Sequence, residues 1–132
     1  MSNKKILIIE DDPHVRLGYH VRLKANDYDT FFAADAIASV IEARKHQPDL
    51  IILDLGLPAG DGFLVMERLK ASTHLAAIPI IVVSGRDPSA NRQRALRAGA
   101  KAFLQKPVDN DELLAVIRQC LGETNGSTQQ NV

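Results

Sequence analysis

The 132 residues are 45% apolar and 24% charged, with sixteen basic side chains against sixteen acidic ones, which is the length and composition of one ordinary globular domain. The neutral balance excludes the overall basic footprint of a dedicated nucleic-acid binder, and a single cysteine, Cys120, excludes an internal disulfide and a cysteine-based zinc site. No apolar run approaches the roughly 20 residues of a membrane helix, and Ile6 to Ile9 is too short for a signal-peptide core, so the expected setting is the cytoplasm, away from membranes.

Ile6, Leu7, Ile8 and Ile9 form an unbroken apolar run, which predicts a strand buried on both faces. It runs directly into Glu10, Asp11 and Asp12. Asp12 before Pro13 predicts a helix N-cap with proline in the first turn, where its missing N–H leaves no bond unmade. Val15, Gly18, Tyr19 and Leu23 then recur at near-helical spacing, with His14, Arg16, His20 and Lys24 toward water. A turn at Asn26 and Asp27 leads to a short second strand over Thr30 to Ala33. Asp35 caps a second helix, in which Ile37, Val40, Ile41 and Arg44 fall at i, i+3, i+4, i+7.

Leu50 to Leu53 repeats the doubly buried strand pattern and ends at Asp54. Gly56, Pro58, Gly60 and Gly62 turn the chain there, and Phe63, Met66 and Leu69 mark the inner face of a third helix. The fourth strand is predicted over Ile78 to Val83, ending in Ser84 and Gly85. Asp87 and Pro88 repeat the cap-plus-proline start, and Gly99 stops that helix. Between them Arg92, Arg94 and Arg97 accompany only Ala95 and Leu96, a solvated face over a thin apolar stripe. Ala102 to Leu104 is a short last strand leading to Lys106 and Pro107. Asp109 caps a final helix with Leu113, Val116, Ile117 and Cys120 on one face, closed by Gly122. Residues 1–122 are read as one domain, and the polar segment 123–132 as a disordered tail or linker stub. His14, His20, His46 and His74 share no ligand spacing and are read as surface residues.

Five strands alternating with five helices predict an α/β fold, a doubly wound parallel sheet with helices on both faces. Five strands in about 120 residues best fit the strand order 2-1-3-4-5, with its switch point between strands 1 and 3. That order places Glu10, Asp11 and Asp54 side by side at the rim where open α/β sheets bind ligands. Three carboxylates about 5 Å apart repel by roughly 3 kcal/mol per ionised pair at an effective dielectric near 20. Protonation or a hard divalent cation would relieve this, and an all-oxygen cluster suits Mg²⁺, which commonly bridges to phosphate. The same rim receives the Ser84 hydroxyl and the Lys106 ammonium. Acids, hydroxyl, ammonium and a glycine-bearing loop make a phosphoryl site, with Asp54 as a covalent acceptor.

The stretches ILIIEDDP, LIILDLGLPAGDG, IPIIVVSG and AFLQKP, taken together, resemble the receiver domain of two-component response regulators over residues 4–121. The resemblance implies that Asp54 accepts a phosphoryl group from a histidine kinase or phosphotransfer protein, in a signalling domain that catalyses only its own phosphorylation and dephosphorylation. It implies Mg²⁺ or Mn²⁺ held by Asp11 and Asp54, by the Gly56 backbone carbonyl and, through water, by Glu10. Lys106 would hold phosphoryl oxygens, Ser84 would swing in to bond them, and Phe103 occupies the switching aromatic's position. The Lys106–Pro107 bond is expected to be cis. Departures from the common pattern are Glu10 in place of Asp, Phe103 in place of Tyr, and the Gly56 and Arg86 pair, expected to tune phosphoryl lifetime.

Output is expected through the face of helix 4, strand 5 and helix 5, toward a downstream protein, an output domain or a second copy, with no nucleic acid bound by this chain directly. Two other readings compete. A flavodoxin-fold enzyme or nucleotide binder would carry a glycine-rich first loop where this chain is acidic. A degenerate receiver would act as an interaction module alone.

Overall fold

The two unbroken apolar runs lie side by side in the middle of the sheet. The computed structural model describes residues 3–57 and 62–123. In chain order these form β1 (Lys5–Ile9), α1 (Pro13–Lys24), β2 (Asp29–Ala33), α2 (Ala36–His46), β3 (Leu50–Asp54), α3 (Gly62–Ala71), β4 (Ile80–Ser84), α4 (Pro88–Arg97), β5 (Ala102–Gln105) and α5 (Asn110–Cys120). The strands are all parallel, in the order β2-β1-β3-β4-β5, which is the expected doubly wound α/β arrangement. Ile9 pairs with Leu53, Asp54 with Val83 and Ser84 with Gln105. The ends of four strands therefore share one rim.

Successive strand residues point to opposite faces, so each apolar run feeds two cores. Leu7, Ile9, Ile51, Leu53, Ile80, Val82 and Phe103 pack against α2, α3 and α4. Ile6, Ile8, Leu50, Ile52, Ile81, Val83 and Leu104 pack against Tyr19 and Leu23 of α1 and Leu113 and Ile117 of α5. A fully buried aliphatic side chain contributes about 1.5–3 kcal/mol relative to exposure. The four caps are formed as expected: Asp12, Asp35, Asp87 and Asp109 each accept a backbone N–H from the first turn of the following helix. The Lys106–Pro107 peptide is cis.

Several expectations shift. β4 begins at Ile80, because Ile78 donates its N–H to Leu75 in a preceding turn. α3 starts at Gly62, one residue before its first predicted apolar position. The buried face of α2 is Ala36, Ser39 and Ala43, while Ile37 and Ile41 are 61% and 57% exposed. Small side chains let α2 lie close over the sheet, and the larger residues of the same spacing are turned outward. Arg16 and His20, expected to face water, are half-buried. His20 Nδ1 lies 2.6 Å from Thr30 Oγ1, and His46, also half-buried, stacks on Phe31 at 3.9 Å.

Pro58 and Gly60 lie outside the described residues. Of the segment 123–132, only Glu123 is described, and its carboxylate accepts the Tyr28 hydroxyl at 2.7 Å. Among the described residues no helix is long and apolar enough to cross a membrane.

Burial raises the pKa of both tyrosines, Tyr19 and Tyr28, to about 12, and the bond to Glu123 adds to the rise at Tyr28. The folded chain therefore keeps two protons that unfolded phenols release near pH 10, so this part of the stability is complete below pH 10 and is lost as pH rises toward 12. Ultraviolet titration is expected to show almost no tyrosinate at pH 10 in the folded protein. Half-ionisation at that pH, where an unperturbed phenol titrates, would show that neither ring is held as described.

Candidate functional site

Glu10 directly follows β1, and its N–H donates to the Ala33 carbonyl at 3.0 Å, so the first acid is placed by the β1–β2 pair. Asp54 is the last residue of β3. Parallel pairing of these strands brings the carboxylates of Glu10, Asp11 and Asp54 to within 4.8 Å of one another. Lys106, one residue beyond β5, donates from Nζ to Glu10 Oε1 at 2.8 Å and lies 3.3 Å from Asp54 Oδ2. Its backbone N–H donates to the Ser84 carbonyl at 2.8 Å, which locks the ends of β4 and β5 together.

The acids differ in surroundings. Glu10 is buried at 3% exposure and accepts the Asp12 N–H at 3.2 Å on its second oxygen. Burial is the largest influence and raises its pKa; Asp54 adds to the rise, while Lys106 and the Asp12 N–H only partly oppose it. Burial alone would lower the pKa of Lys106, but the bond to Glu10 and the charges of Asp54 and Glu10 together raise it. Asp54 Oδ1 accepts the Gly56 N–H at 3.2 Å. Asp11 is exposed and its carboxylate has no hydrogen bond or ion pair among the described residues. The Lys106 ammonium thus contacts two of the three carboxylates, and the oxygen set left over fits a hard divalent cation better than a softer one.

The remaining predicted residues surround this cluster. Ser84 is fully buried, and its Oγ accepts the Arg86 N–H at 3.0 Å. Arg86 Nη2 donates to the Leu55 carbonyl at 3.3 Å, between Asp54 and Gly56. Among the described residues, a Cβ added at Gly56 would meet Asp54 Oδ1 alone, at 3.9 Å. Phe103 is buried in the core cluster that also holds Ala95 of α4.

Sequence reasoning missed the contacts of four residues. Arg16, assigned to water, donates from Nη1 to the Glu10 carbonyl at 3.1 Å. Tyr19 lines a cleft of about 490 Å³ with Val15, Gly18, Lys106, Pro107 and Val108; a glycine in mid-helix was its one sequence signal. The arginines of α4 are exposed, as the reading of a solvated face expects, and two of them also lie over aromatic rings: Arg92 is 5.6 Å from the Phe103 centroid and Arg94 is 3.7 Å from that of Phe63.

The family model for the response regulator receiver domain matches residues 6–118. The chain is 37% identical over 121 residues to the DNA-binding dual master transcriptional regulator RpaA of Synechocystis sp., covering 92% of this chain and 50% of that protein. It is 37% identical over 123 residues to the KDP operon transcriptional regulatory protein KdpE of Escherichia coli, covering 93% and 53%. The chain thus spans about half the length of these curated relatives. Among solved structures, the receiver domain of the sensor histidine kinase PA1611 from Pseudomonas aeruginosa, which holds a magnesium ion in its active site cleft, matches with a TM-score of 0.84 and 27% identity, over 92% of this chain and all of that one. A CheY-like receiver domain protein from Methanospirillum hungatei matches at 0.85 and 28%, over 92% and 95%.

Proposed function

This chain belongs to the response regulator receiver domains of two-component signalling, and from that premise we propose that Asp54 accepts a phosphoryl group from a phosphohistidine of a kinase or phosphotransfer protein. The observation that carries this is the meeting of Glu10, Asp11, Asp54 and Lys106, from three separate segments, at one strand edge. In the step an Asp54 oxygen forms the new bond to phosphorus while the donor's P–N bond breaks, its electron pair leaving on the imidazole nitrogen. Lys106 already contacts Asp54 Oδ2 and faces the charge that develops on the phosphoryl oxygens. The Gly56 N–H orients the carboxylate through Oδ1.

Asp11, Asp54, the Gly56 carbonyl and, through water, Glu10 would hold Mg²⁺, or Mn²⁺ in its place. When bound, the ion supplies positive charge to the transferring oxygens. The cation seen in the PA1611 receiver domain belongs to that protein, and the unpaired Asp11 carboxylate supports the same preference here.

A phosphorylated Asp54 gains up to about two negative charges. Ser84 would exchange its Arg86 N–H partner for a phosphoryl oxygen, drawing the β4–α4 loop inward. The resulting shift in packing around Phe103 is read on the α4–β5–α5 face, where Arg92, Arg94, Arg97, Lys101, Asp111 and Glu112 are exposed to an output partner or a second copy. Residues 1–122 form this phosphoacceptor unit, acting in the cytoplasm, and Arg86 together with Gly56, which has no side chain, governs how long the acyl phosphate lasts.

Labelling with a small phosphodonor tests the reading. Incorporation is expected to require Mg²⁺, to fall by at least about a hundredfold in Asp54→Asn, consistent with losing the acceptor itself, and to decay faster in Arg86→Ala. A folded wild-type protein that takes no label would instead be an interaction module, and an unchanged decay would remove Arg86 from this role.

A further inference from the structure

α4 is seated by very little apolar surface. Ala95 is the only buried residue of its ten, and Leu96 is 38% exposed. Its two aromatic contacts leave on opposite flanks, because residues two apart on a helix project about 200° from each other. On one flank Arg92 lies over the Phe103 ring of β5 at 5.6 Å, and its Nη2 donates to the Phe103 carbonyl at 3.4 Å. On the other, the Arg94 guanidinium sits 3.7 Å from the centroid of Phe63, at the start of α3. Phe63 is fixed relative to the acids, since the preceding Gly62 donates its N–H to Leu55 at 2.8 Å and leaves no room for a side chain between itself and the end of β3.

We propose that the Arg94–Phe63 stack is a tether that couples the β3–α3 junction beside Asp54 to the position of α4, by a route separate from Ser84 and Phe103. Arg92 holds the opposite flank, so the balance of the two arginine–aromatic contacts, rather than an apolar stripe, sets where α4 rests. A planar guanidinium on a ring face combines cation–π attraction with stacking and fits this role better than an ammonium. The tether itself exists without phosphorylation; its use in signalling rests on the receiver reading above.

Amide hydrogen exchange across α4 and α5 in the full chain, without and with beryllofluoride and Mg²⁺, tests it. Arg94→Gln is expected to raise exchange of residues 88–97 about twofold to fivefold, the range of one exposed cation–π contact, with α5 unchanged and Asp54 labelling retained. Arg94→Lys should fall between. In Phe63→Leu, the further change on adding Arg94→Gln should nearly vanish; if Phe63→Leu fails to fold, the Gln and Lys pair decides. Exchange in α4 that is the same in wild type, Lys and Gln variants, or additive effects in the double variant, would overturn the tether. Beryllofluoride should shift α4 exchange less in Arg94→Gln than in wild type; an equal shift would overturn the coupling. A wild-type protein on which beryllofluoride has no effect would count against the phosphoacceptor reading, while the unliganded comparison still decides the tether.

Discussion

Lys106→Ala is expected to destabilise the metal-free protein by about 1–3 kcal/mol at neutral pH, the cost of leaving a buried polar group unsatisfied and below that of breaking a fully buried pair, because Lys106 itself is 28% exposed. The loss comes from Glu10. Its carboxylate is almost wholly buried and would keep only the Asp12 N–H, while Asp54 and Asp11 remain within 4.8 Å. Removing the ammonium takes away an influence that holds the Glu10 pKa down and leaves burial and Asp54, which both raise it.

The sign for pH follows directly. A carboxyl whose folded pKa is raised binds a proton in the folded state that the unfolded chain has released, so stability falls as pH rises from the ordinary carboxylate range through the raised value. The deficit of Lys106→Ala should therefore be smaller at pH 5 than at pH 8, and Mg²⁺ should raise its melting temperature more than that of the wild type. Urea denaturation at the two pH values, with and without Mg²⁺, measures both. A deficit independent of pH would mean that Glu10 does not depend on Lys106 as the 2.8 Å contact indicates.

The second large effect is expected at Gly62, where alanine should weaken both the fold and the site. A Cβ there would lie 2.7 Å from Leu55 Cα and 2.9 Å from the Asp54 carbonyl oxygen. Both are backbone atoms and cannot rotate aside, so the start of α3 must move off the end of β3. Alanine favours helix over glycine by about 1 kcal/mol, but overpacking of this kind costs about 1–3 kcal/mol, and the clash prevails at contacts this short. A net loss of up to about 2 kcal/mol is expected by urea denaturation. Because the displaced atoms include the carbonyl of the acceptor residue, phosphodonor labelling should drop by more than tenfold, in line with the sensitivity of transfer steps to misplacement of about 1 Å. A Gly62→Ala protein as stable and as readily labelled as wild type would show that the β3–α3 junction is not under this constraint.

Much of the candidate site was legible because its residues punctuate recognisable strands. Glu10 and Asp11 follow one doubly buried run, Asp54 ends another, and Ser84 and Lys106 stand at the ends of two more. Once the strand order is inferred, their meeting follows from geometry. What the linear pattern did not supply was the partner of each group. Glu10 and Lys106 are 96 residues apart, and the Ser84 hydroxyl is occupied by the Arg86 amide. Arg92 and Arg94 have the composition of a solvated face, yet they lie over rings supplied by β5 and α3.

The chain by itself determined the cores of its strands, the starts of its four capped helices and the rim where the chemistry collects, because these depend on short-range terms. Four aspartates each cap the next helix, and apolar runs with no polar alternation can only be buried on both sides. Tertiary structure alone decided that α2 buries Ala36, Ser39 and Ala43 while Ile37 and Ile41 stay outside, and that Arg92 and Arg94 of α4 lie over the rings of Phe103 and Phe63. The physical reason is that a helix carries several faces of similar spacing, and the one that turns inward is selected by the space its neighbours leave, a quantity no local pattern encodes.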